Sequence, residues 1–286
     1  MEGHALSHGA ITVVTAIATG KGAAFGIDLT TEAWVELDRS DQITVQMDGL
    51  EEEDSALARI CAERMIDMFA PGKGLGGHVR TRSDIPVSRG LKSSSAAANA
   101  IISACAEALG AHLNPLEIAR IGARCSMLAG VSVTGAFDDA CAALLGGLVL
   151  TDNTQMTLVR REAMPSDLTI FIHVPDLKIR KQGLPLDRIR ALAGVVEIAY
   201  AEAFAGRYSE AMIMNSLCYS AALGLDTEMM MKALQRGALA AGLSGTGPAT
   251  AIIALRDNAQ EVRAALGEGN IMQANIYNGD SMEEEQ

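Results

Sequence analysis

The stretch PVSRGLKSSSA, residues 86–96, joins a polar turn to the apolar segment AAANAIISACAEALG. That segment is hydrophobic almost all round, which predicts a buried helix rather than an amphipathic surface helix. The first N–H groups of such a helix have no partner within it and carry the positive end of the helix dipole, so they favour an anion. Gly90 lets the backbone approach a ligand closely, while Lys92 and the serine hydroxyls add a positive charge and donors. The sequence therefore predicts a phosphate site at the start of this helix.

Two other glycine-containing segments lie downstream in apolar sequence: GAFDDACAALLGG at 135–147 and GLSGTGPA at 242–249. The chain contains no G-x-x-x-x-G-K-[ST] loop, and no G-x-G-x-x-G follows a strand. A serine run that only caps a hydrophobic helix is the plainer interpretation of residues 93–95. A purely structural protein, however, has no need of three polar glycine-rich turns in apolar sequence, so the set indicates a ligand site.

Composition limits the possible partners and compartments. The 286 residues are 49% hydrophobic, enough to bury one large core or two modest ones. The formal charge of −12 argues against nucleic acid or an anionic membrane as a partner. No apolar run approaches the ~18–20 residues of a membrane span, and the start has no secretory pattern, so we expect a cytoplasmic protein. The five cysteines form no C-x-x-C pair and are expected to be small buried hydrophobes, and the sequence does not indicate an oligomeric state.

The first half of the chain mixes strands with consecutive helices. Strands are predicted at 10–18, 33–37, 42–47 and 78–83, with residues 20–22 as a turn, and helices at 55–69, 96–110 and 114–130. Asn114, Pro115 and Glu117 have the pattern of a helix start with a capping box. Two helices in succession favour an α+β fold over regular β-α-β winding.

The pattern restarts after Asp152. It predicts strands at 168–174, 249–255 and 270–277, helices at 187–205, 208–222 and 226–241, and a last helix capped by Asp257. We therefore expect two domains, 1–155 and 156–286. No Pro/Ser-rich linker separates them, so we expect the halves to be closely packed.

The three glycine-rich segments resemble, in order, conserved motifs of the GHMP kinases. Residues 86–96 resemble the second motif, P-x-x-x-G-L-x-S-S-[AS], and 242–249 resemble the third, a backbone loop against the phosphate site. The segment 135–147 resembles the stretch with the catalytic Asp, seven residues before a Gly-Gly pair. Counting back from Gly146 gives Asp139, with Asp138 as the second candidate. The resemblance implies a two-domain α+β fold with the active site in the cleft between the domains.

Two positions depart from the family pattern. The first motif is often A-P-G-K, but here ALSHGA at 5–10 agrees only at Gly9, and Ala10 replaces the lysine. The Glu that helps some members bind Mg²⁺ has no counterpart in RCSMLAGVSV at 124–133. We therefore expect Ser94 to bind Mg²⁺ together with water and phosphate oxygens.

The segments SHGAITVV, AIATGKGAAFGIDL, SRGLKSSSA, TGAFDDACA and GLSGTGPA together resemble archaeal-type shikimate kinases, from about residue 4 to 255. This resemblance implies ATP-dependent phosphorylation of the shikimate 3-hydroxyl, with Asp139 as the base. The residues it implies for ATP binding are Pro86, Arg89, Gly90, Leu91, Lys92, Ser93, Ser94, Ser95, Ala96, Gly245 and Gly247.

Shikimate is a carboxylate, so its site needs a cation. The basic cluster KIRK, residues 178–181, offers Arg180, and Lys21 in the TGKG turn can approach the phosphates or the acceptor. Asn215 lies on a predicted helix that faces the cleft in the family arrangement. The plainer interpretations are a solvated loop, an exposed turn lysine and a locally bonded Asn.

Two other functions remain open at this point. Another GHMP kinase, with homoserine kinase the nearest, is distinguished by Asp139, which homoserine kinases typically lack. A non-catalytic GHMP-fold sensor is favoured by the missing A-P-G-K motif. It is disfavoured by the presence of both FDDA and the serine-rich motif.

Overall fold

Two β-sheets with packed helices form the molecule in the computed structural model, which describes residues 1–50, 53–177 and 183–279. The strands, in chain order, are β1 (Glu2–Val14), β2 (Lys21–Asp38), β3 (Ile43–Met47), β4 (Gly76–Ser83), β5 (Leu148–Asp152), β6 (Thr157–Glu162), β7 (Leu168–His173), β8 (Ala240–Leu243), β9 (Thr250–Leu255), β10 (Ile271–Ala274) and β11 (Ile276–Tyr277). The helices are α1 (Ala56–Phe69), α2 (Ser93–Leu109), α3 (Pro115–Leu128), α4 (Phe137–Leu145), α5 (Leu186–Ala191), α6 (Ala193–Phe204), α7 (Tyr208–Leu223), α8 (Glu228–Gln235) and α9 (Ala259–Ala265).

Strand β2 organises the first sheet. It pairs antiparallel with β1 along nearly its whole length, while its second half pairs with β4 and its first half with β5. Within β2, Ala23 and Phe25 face a core shared with the second sheet, and Ala24 faces α4. Because side chains alternate along a strand, residues buried on both faces need cover on both sides. This explains why the start of β2 is continuously apolar.

Helices α1 and α2 pack on the first sheet, and α3 packs on the other helices. The predicted capping box is confirmed: Glu117 N donates to Asn114 Oδ1 over 3.0 Å, and Asn114 N donates to Glu117 Oε2 over 2.8 Å. Helix α2 is buried along most of its length, as its apolar sequence predicted. It comes so close to β1 that a Cβ at Gly3 would lie 2.0 Å from the Ala104 carbonyl oxygen. None of the helices in the described part of the chain is long and apolar enough to span a bilayer.

The second sheet has the order β10-β7-β9-β8, with every neighbouring pair antiparallel. Ile11 and Phe25 of the first sheet share one buried cluster with Ile170 and Ile172 of the second. The close packing expected between the halves is therefore confirmed. All five cysteines are free, and all but the partly buried Cys218 are buried.

The structure differs from the sequence predictions at several elements. Helix α4 and strand β6 were not predicted, because α4 is short and bounded by glycine motifs and β6 is polar and mostly half-exposed. The helix predicted at 226–241 is wrong at its end, where β8 pairs with β9 instead. Asp257 does not cap α9, whose N-cap residue is Asn258.

The strand pairing also bears on how the chain divides. Strand β6 pairs with β5, and β11, near the end of the described chain, pairs with β2, so both belong to the first sheet. The division into 1–155 and 156–286 stays a prediction.

Candidate active site

Residues 86–95, which are the turn before α2 and the first three residues of that helix, are called the serine loop from here on. Three of its residues have left-handed backbones: Ser88 (φ 58°), Gly90 (φ 89°) and Lys92 (φ 67°). The last of these is the N-cap residue of α2, and no described side chain caps that helix. The interpretation of the serines as simple caps is therefore not supported. The first N–H groups of α2 lie at a cavity wall, where they can bind an anion.

A second loop, residues 244–248 and here called the glycine loop, packs on the serine loop. Ser244 Oγ donates to the Gly90 carbonyl oxygen over 2.8 Å, and Ala249 N donates to the Arg89 carbonyl oxygen over 3.0 Å. A Cβ at Gly90 would lie 2.1 Å from the Ser244 carbonyl oxygen, so this position requires glycine. The serine loop and the glycine loop, which resemble phosphate-binding motifs, thus form one continuous wall.

Two adjacent carboxylates face this wall from the first turn of α4. Asp138 and Asp139 are each 4% exposed. Lys92 Nζ lies 3.1 Å from Asp139 Oδ1, and both side chains are buried. Asn153 Nδ2 donates to Asp138 Oδ1 over 2.8 Å. The N-terminal end of the α4 dipole further favours negative charge at both positions.

The two carboxylates differ in electrostatic environment. Burial, and next the charge of Asp139, raise the pKa of Asp138 to about 6, although Lys92 and the hydrogen bond from Asn153 oppose the rise. Asp138 also lies against Gly22 of β2, where a Cβ would be 2.4 Å from its Oδ2. Asp138 is therefore held against the sheet, whereas Asp139 faces the serine loop through Lys92.

A cavity of about 460 Å³ connects these groups. The serine loop, the glycine loop and α4 contribute polar groups to its wall. The predicted site residues that line it are Gly90, Lys92, Ser93, Ser94, Ser95, Asp138, Asp139, Gly245 and Gly247. The wall also contains apolar side chains, among them Leu50, Leu57, Ile101 and Val131, and two further acids, Glu53 and Asp54.

Four predicted ATP-binding residues lie outside this lining. Leu91 and Ala96 are buried in the shared core and hold the loop from behind. Pro86 does not line the cavity either. Arg89 points away from it and donates to the carbonyl oxygens of Pro175 and Leu177. These residues shape the serine loop rather than forming the cavity surface.

The three predicted acceptor-binding residues have different locations. Lys21 forms an ion pair with Glu197 at 3.0 Å and is not part of the cavity lining. Asn215 is fully buried, and its Oδ1 accepts from Thr15 N over 3.0 Å, which fixes the turn after β1. Arg180 lies outside the described residues. The structure therefore brings neither Lys21 nor Asn215 to the cavity.

Sequence reasoning missed several polar residues of the site. Asn153 orients Asp138 with both ends of its amide, since Asp138 N donates to Asn153 Oδ1 over 3.2 Å. Thr12 and Thr15 line the cavity from the end of β1, and Thr12 Oγ1 is buried with no hydrogen-bond partner among the described residues. In the sequence, these residues are recognisable only as polar residues near the ends of apolar strands, and that pattern is too common to identify a site.

Comparison with known proteins gives relatives over the whole chain. Residues 56–147 match the family model described as the GHMP kinases N terminal domain. The shikimate kinase of Methanosarcina mazei is 46% identical over 283 residues, covering 97% of this chain and 95% of that protein. The shikimate kinase of Methanosarcina acetivorans is 45% identical, covering 98% and 96%. Among solved structures, homoserine kinase from Cytophaga hutchinsonii superposes with a TM-score of 0.74 at 19% identity over 97% of this chain and 96% of that one, a likeness of fold alone.

Proposed function

This chain belongs to the archaeal-type shikimate kinases of the GHMP kinase superfamily, and we propose that it transfers the γ-phosphoryl group of ATP to the 3-hydroxyl of shikimate. The observation that supports this most is the likeness to proteins named shikimate kinase, which runs through nearly the whole chain. The α+β GHMP kinase fold and the kinase class predicted from the three glycine-rich segments are confirmed.

The cavity fits the two ends of a nucleotide. The serine loop offers the N–H groups at the start of α2 and the hydroxyls of Ser93, Ser94 and Ser95 to the phosphates. The apolar side chains of the lining, among them Leu57, Ile101 and Val131, suit a flat ring such as adenine. The γ-phosphoryl group would then lie between the serine loop and α4.

Asp139 is the proposed proton acceptor. As the acceptor's hydroxyl oxygen bonds to the γ-phosphorus, its proton passes to the Asp139 carboxylate. The bond from the γ-phosphorus to the bridging oxygen breaks, and ADP leaves. Phosphoryl transfer of this kind depends mainly on positioning and charge neutralisation, which the buried walls of the cavity supply. Asp138 is the second candidate, and its contacts with Asn153 and Gly22 favour a supporting role.

Mg²⁺ is the proposed metal, with Ser94 as its protein ligand. Among the described residues no group of three or more His, Cys, Asp or Glu side chains is placed to hold a metal. Mg²⁺ does not need such a group, because it keeps several waters and is commonly bound through substrate phosphates. The hydroxyl oxygens of the serine loop are hard donors of the kind it prefers. When bound, the metal would neutralise phosphate charge.

The acceptor's carboxylate needs a cation, and within the described lining Lys92 is already paired with Asp139. We keep Arg180 as the proposed partner of the shikimate carboxylate. Replacing Arg180 by Ala should then raise KM for shikimate and leave KM for ATP nearly unchanged.

A coupled ADP-release assay with Mg-ATP tests the proposal across shikimate, homoserine, mevalonate and galactose. We expect ADP release that depends on shikimate and on none of the other three. Turnover of homoserine with none of shikimate would instead support the alternative GHMP kinase. Nucleotide and shikimate binding without turnover, measured by calorimetry, would support the sensor.

A further inference from the structure

One buried cation lies in the cavity wall. It is paired with a carboxylate and does not face open space that a phosphate could occupy. Lys92 is the sole Lys or Arg among the described residues that line the cavity. Its Nζ lies 3.1 Å from Asp139 Oδ1, and the two side chains are 8% and 6% exposed. The contact is an ion pair rather than a well-aligned hydrogen bond. Removing one member of a buried pair leaves an uncompensated charge, so the two residues depend on each other.

Two features of the surrounding backbone accommodate this lysine. Lys92 adopts a left-handed backbone (φ 67°) at the N-cap of α2, a conformation that Gly or Asn adopts more easily. A Cβ at Gly245 would lie 2.6 Å from Lys92 Nζ, so the glycine loop leaves the space that the ammonium occupies. A lysine retained at a strained position, and given room by a second loop, indicates that its charge is needed there.

We infer that Lys92 is a positioning residue for phosphoryl transfer, whose ammonium fixes the Asp139 carboxylate at the cavity wall and balances the charge of the adjacent acids. This rests on the proposed function of Asp139. When Asp139 takes up the acceptor's proton, it loses its negative charge and the ammonium becomes uncompensated beside the serine loop. That positive charge then acts on the transferring phosphoryl group, so Lys92 stabilises the transition state more than the ground state.

The charged groups around Lys92 make Asp138 a reporter of this arrangement. Asp138 and Asp139 face it from α4, the glycine loop and β1 contribute uncharged Gly245 and Thr12, and Glu53 and Asp54 complete the acidic groups in the described cavity wall. The charge of Asp139 raises the pKa of Asp138, and that of Lys92 lowers it. Removing the charge of Asp139 should therefore lower the pKa of Asp138, and removing the charge of Lys92 should raise it.

Carboxyl ¹³C NMR titration of the free protein tests this without any turnover. Lys92→Met should move the Asp138 midpoint to higher pH, and Asp139→Asn should move it to lower pH. The double variant, which removes both charges, should return it close to the wild-type midpoint. An Asp138 midpoint that Lys92→Met leaves unchanged would overturn the inference, because it would place the ammonium away from the carboxylates.

Steady-state kinetics separate positioning from simple phosphate binding. We expect Lys92→Met to lower kcat about 10–100-fold with less than about a threefold change in KM for ATP. Lys92→Arg should recover part of kcat, and the double variant should be no slower than Asp139→Asn, because residues that act as a unit are not additive. A raised KM for ATP with unchanged kcat would make Lys92 a phosphate ligand only.

The two readouts also distinguish a failure of the inference from a failure of the proposed function. If the wild type shows no shikimate-dependent ADP release, the proposed function fails and the kinetic comparison cannot be made. The NMR titration would still show whether Lys92 and Asp139 form an ion pair. If Lys92→Met does not fold, Lys92→Arg keeps the ion pair and the double variant removes both of its charges. They are then compared with the wild type and Asp139→Asn in both measurements.

Discussion

Asp138 and Asp139 are neighbours in sequence with nearly equal burial, yet their side chains meet different partners. Successive residues of a helix point about 100° apart, so one carboxylate faces β2 and Asn153 while the other faces Lys92. The first is held by an amide that supplies no charge. The second has a cation at its side and an open cavity before it. Their chemical roles follow from this difference in surroundings rather than from residue type.

Asp139→Asn keeps the shape of the side chain and removes its charge and its capacity to accept a proton. General-base assistance is typically worth about 10²–10⁴-fold, so kcat should fall by about that factor while KM for ATP changes little. Asp138→Asn, the matched control, should lower kcat less. Steady-state kinetics with ATP and shikimate measure both. If Asp138→Asn proves the more damaging, the two roles are exchanged, and if both variants lose only a few-fold, the pair is not catalytic.

Asp138→Asn should also change how stability depends on pH. Burial raises the pKa of Asp138 from its ordinary value of 3.8 to about 6, so folding favours its protonated form. The wild type therefore loses stability as pH rises from about 4 through 6, and the Asn variant lacks this loss. Its stability relative to wild type should rise with pH by something on the order of 2 kcal/mol between pH 4 and 7.5.

Urea unfolding at four pH values across this range measures the difference. The same series on Asp152→Asn, an acid at the end of β5 outside the cavity lining, gives a control without the buried environment. A stability difference that stays constant across the range would contradict the assigned pKa shift.

At the scale of elements, the start of α2 is built for a ligand rather than for its own stability. No described side chain caps it, although serines occupy its first three positions. Ser94→Ala should therefore change stability little, within the ~0.5–2 kcal/mol of a lost cap, but should raise KM for Mg-ATP. Ser103→Ala on the same helix lies outside the cavity lining and serves as the control. Unchanged ATP kinetics in a folded Ser94→Ala protein would contradict the role of this residue.

The contact between β2 and α4 gives a second prediction at this scale. A Cβ at Gly22 would lie 2.4 Å from Asp138 Oδ2 and 2.9 Å from its Cβ, so Gly22→Ala must displace the start of α4. We expect a loss of about 1–3 kcal/mol in the free energy of unfolding, together with a lower kcat.

Gly194→Ala is the matched control for this change. Its Cβ would meet nothing within 4 Å at an exposed position of α6, so it should gain about 0.5–1 kcal/mol. Thermal melts and kinetics compare the two variants. A Gly22→Ala protein as stable and active as wild type would show that α4 does not depend on this contact.

At the scale of the whole molecule, the last described strand, β11, returns to the first sheet. It pairs with β2 between the residues of β2 that pair with β5 and those that pair with β4, and so closes the gap between those two strands. Asn278 holds this end: Met164 N donates to its Oδ1 over 2.8 Å, and its Nδ2 donates to the Met164 carbonyl oxygen over 2.9 Å. Asn278→Ala should reduce the free energy of unfolding by about 1–3 kcal/mol, because two partly buried backbone groups lose their partners. Asn275→Ala, whose bonds reach the exposed Asp28, should lose less than half as much. Equal losses, measured by chemical unfolding, would argue that the closure does not contribute to stability.

Local features of the sequence predicted a large part of the fold. The capping box of α3, the buried helix α2 and the apolar strands β7 and β9 were confirmed, because each depends on residues within about one turn or one strand of each other. Helix α4 and strands β6 and β8 were not predicted, because their short sequences suit more than one structure and pairing with distant strands selects one. Lys21, a predicted site residue, illustrates the same limit, since its partner Glu197 lies far away in sequence.

The sequence by itself determined which chemical groups are available: a glycine-flanked serine run ahead of a buried helix, a pair of acids before Gly146, and a glycine-rich turn before an apolar strand. Only the tertiary structure decided that Lys92 lies on Asp139, that Asn153 holds Asp138, and that Asn215 fixes the turn at Thr15 without lining the cavity itself. The reason is physical. Backbone conformation and helix dipoles follow from neighbouring residues, whereas a buried ion pair forms only where two elements that are distant in sequence pack closely enough to exclude water.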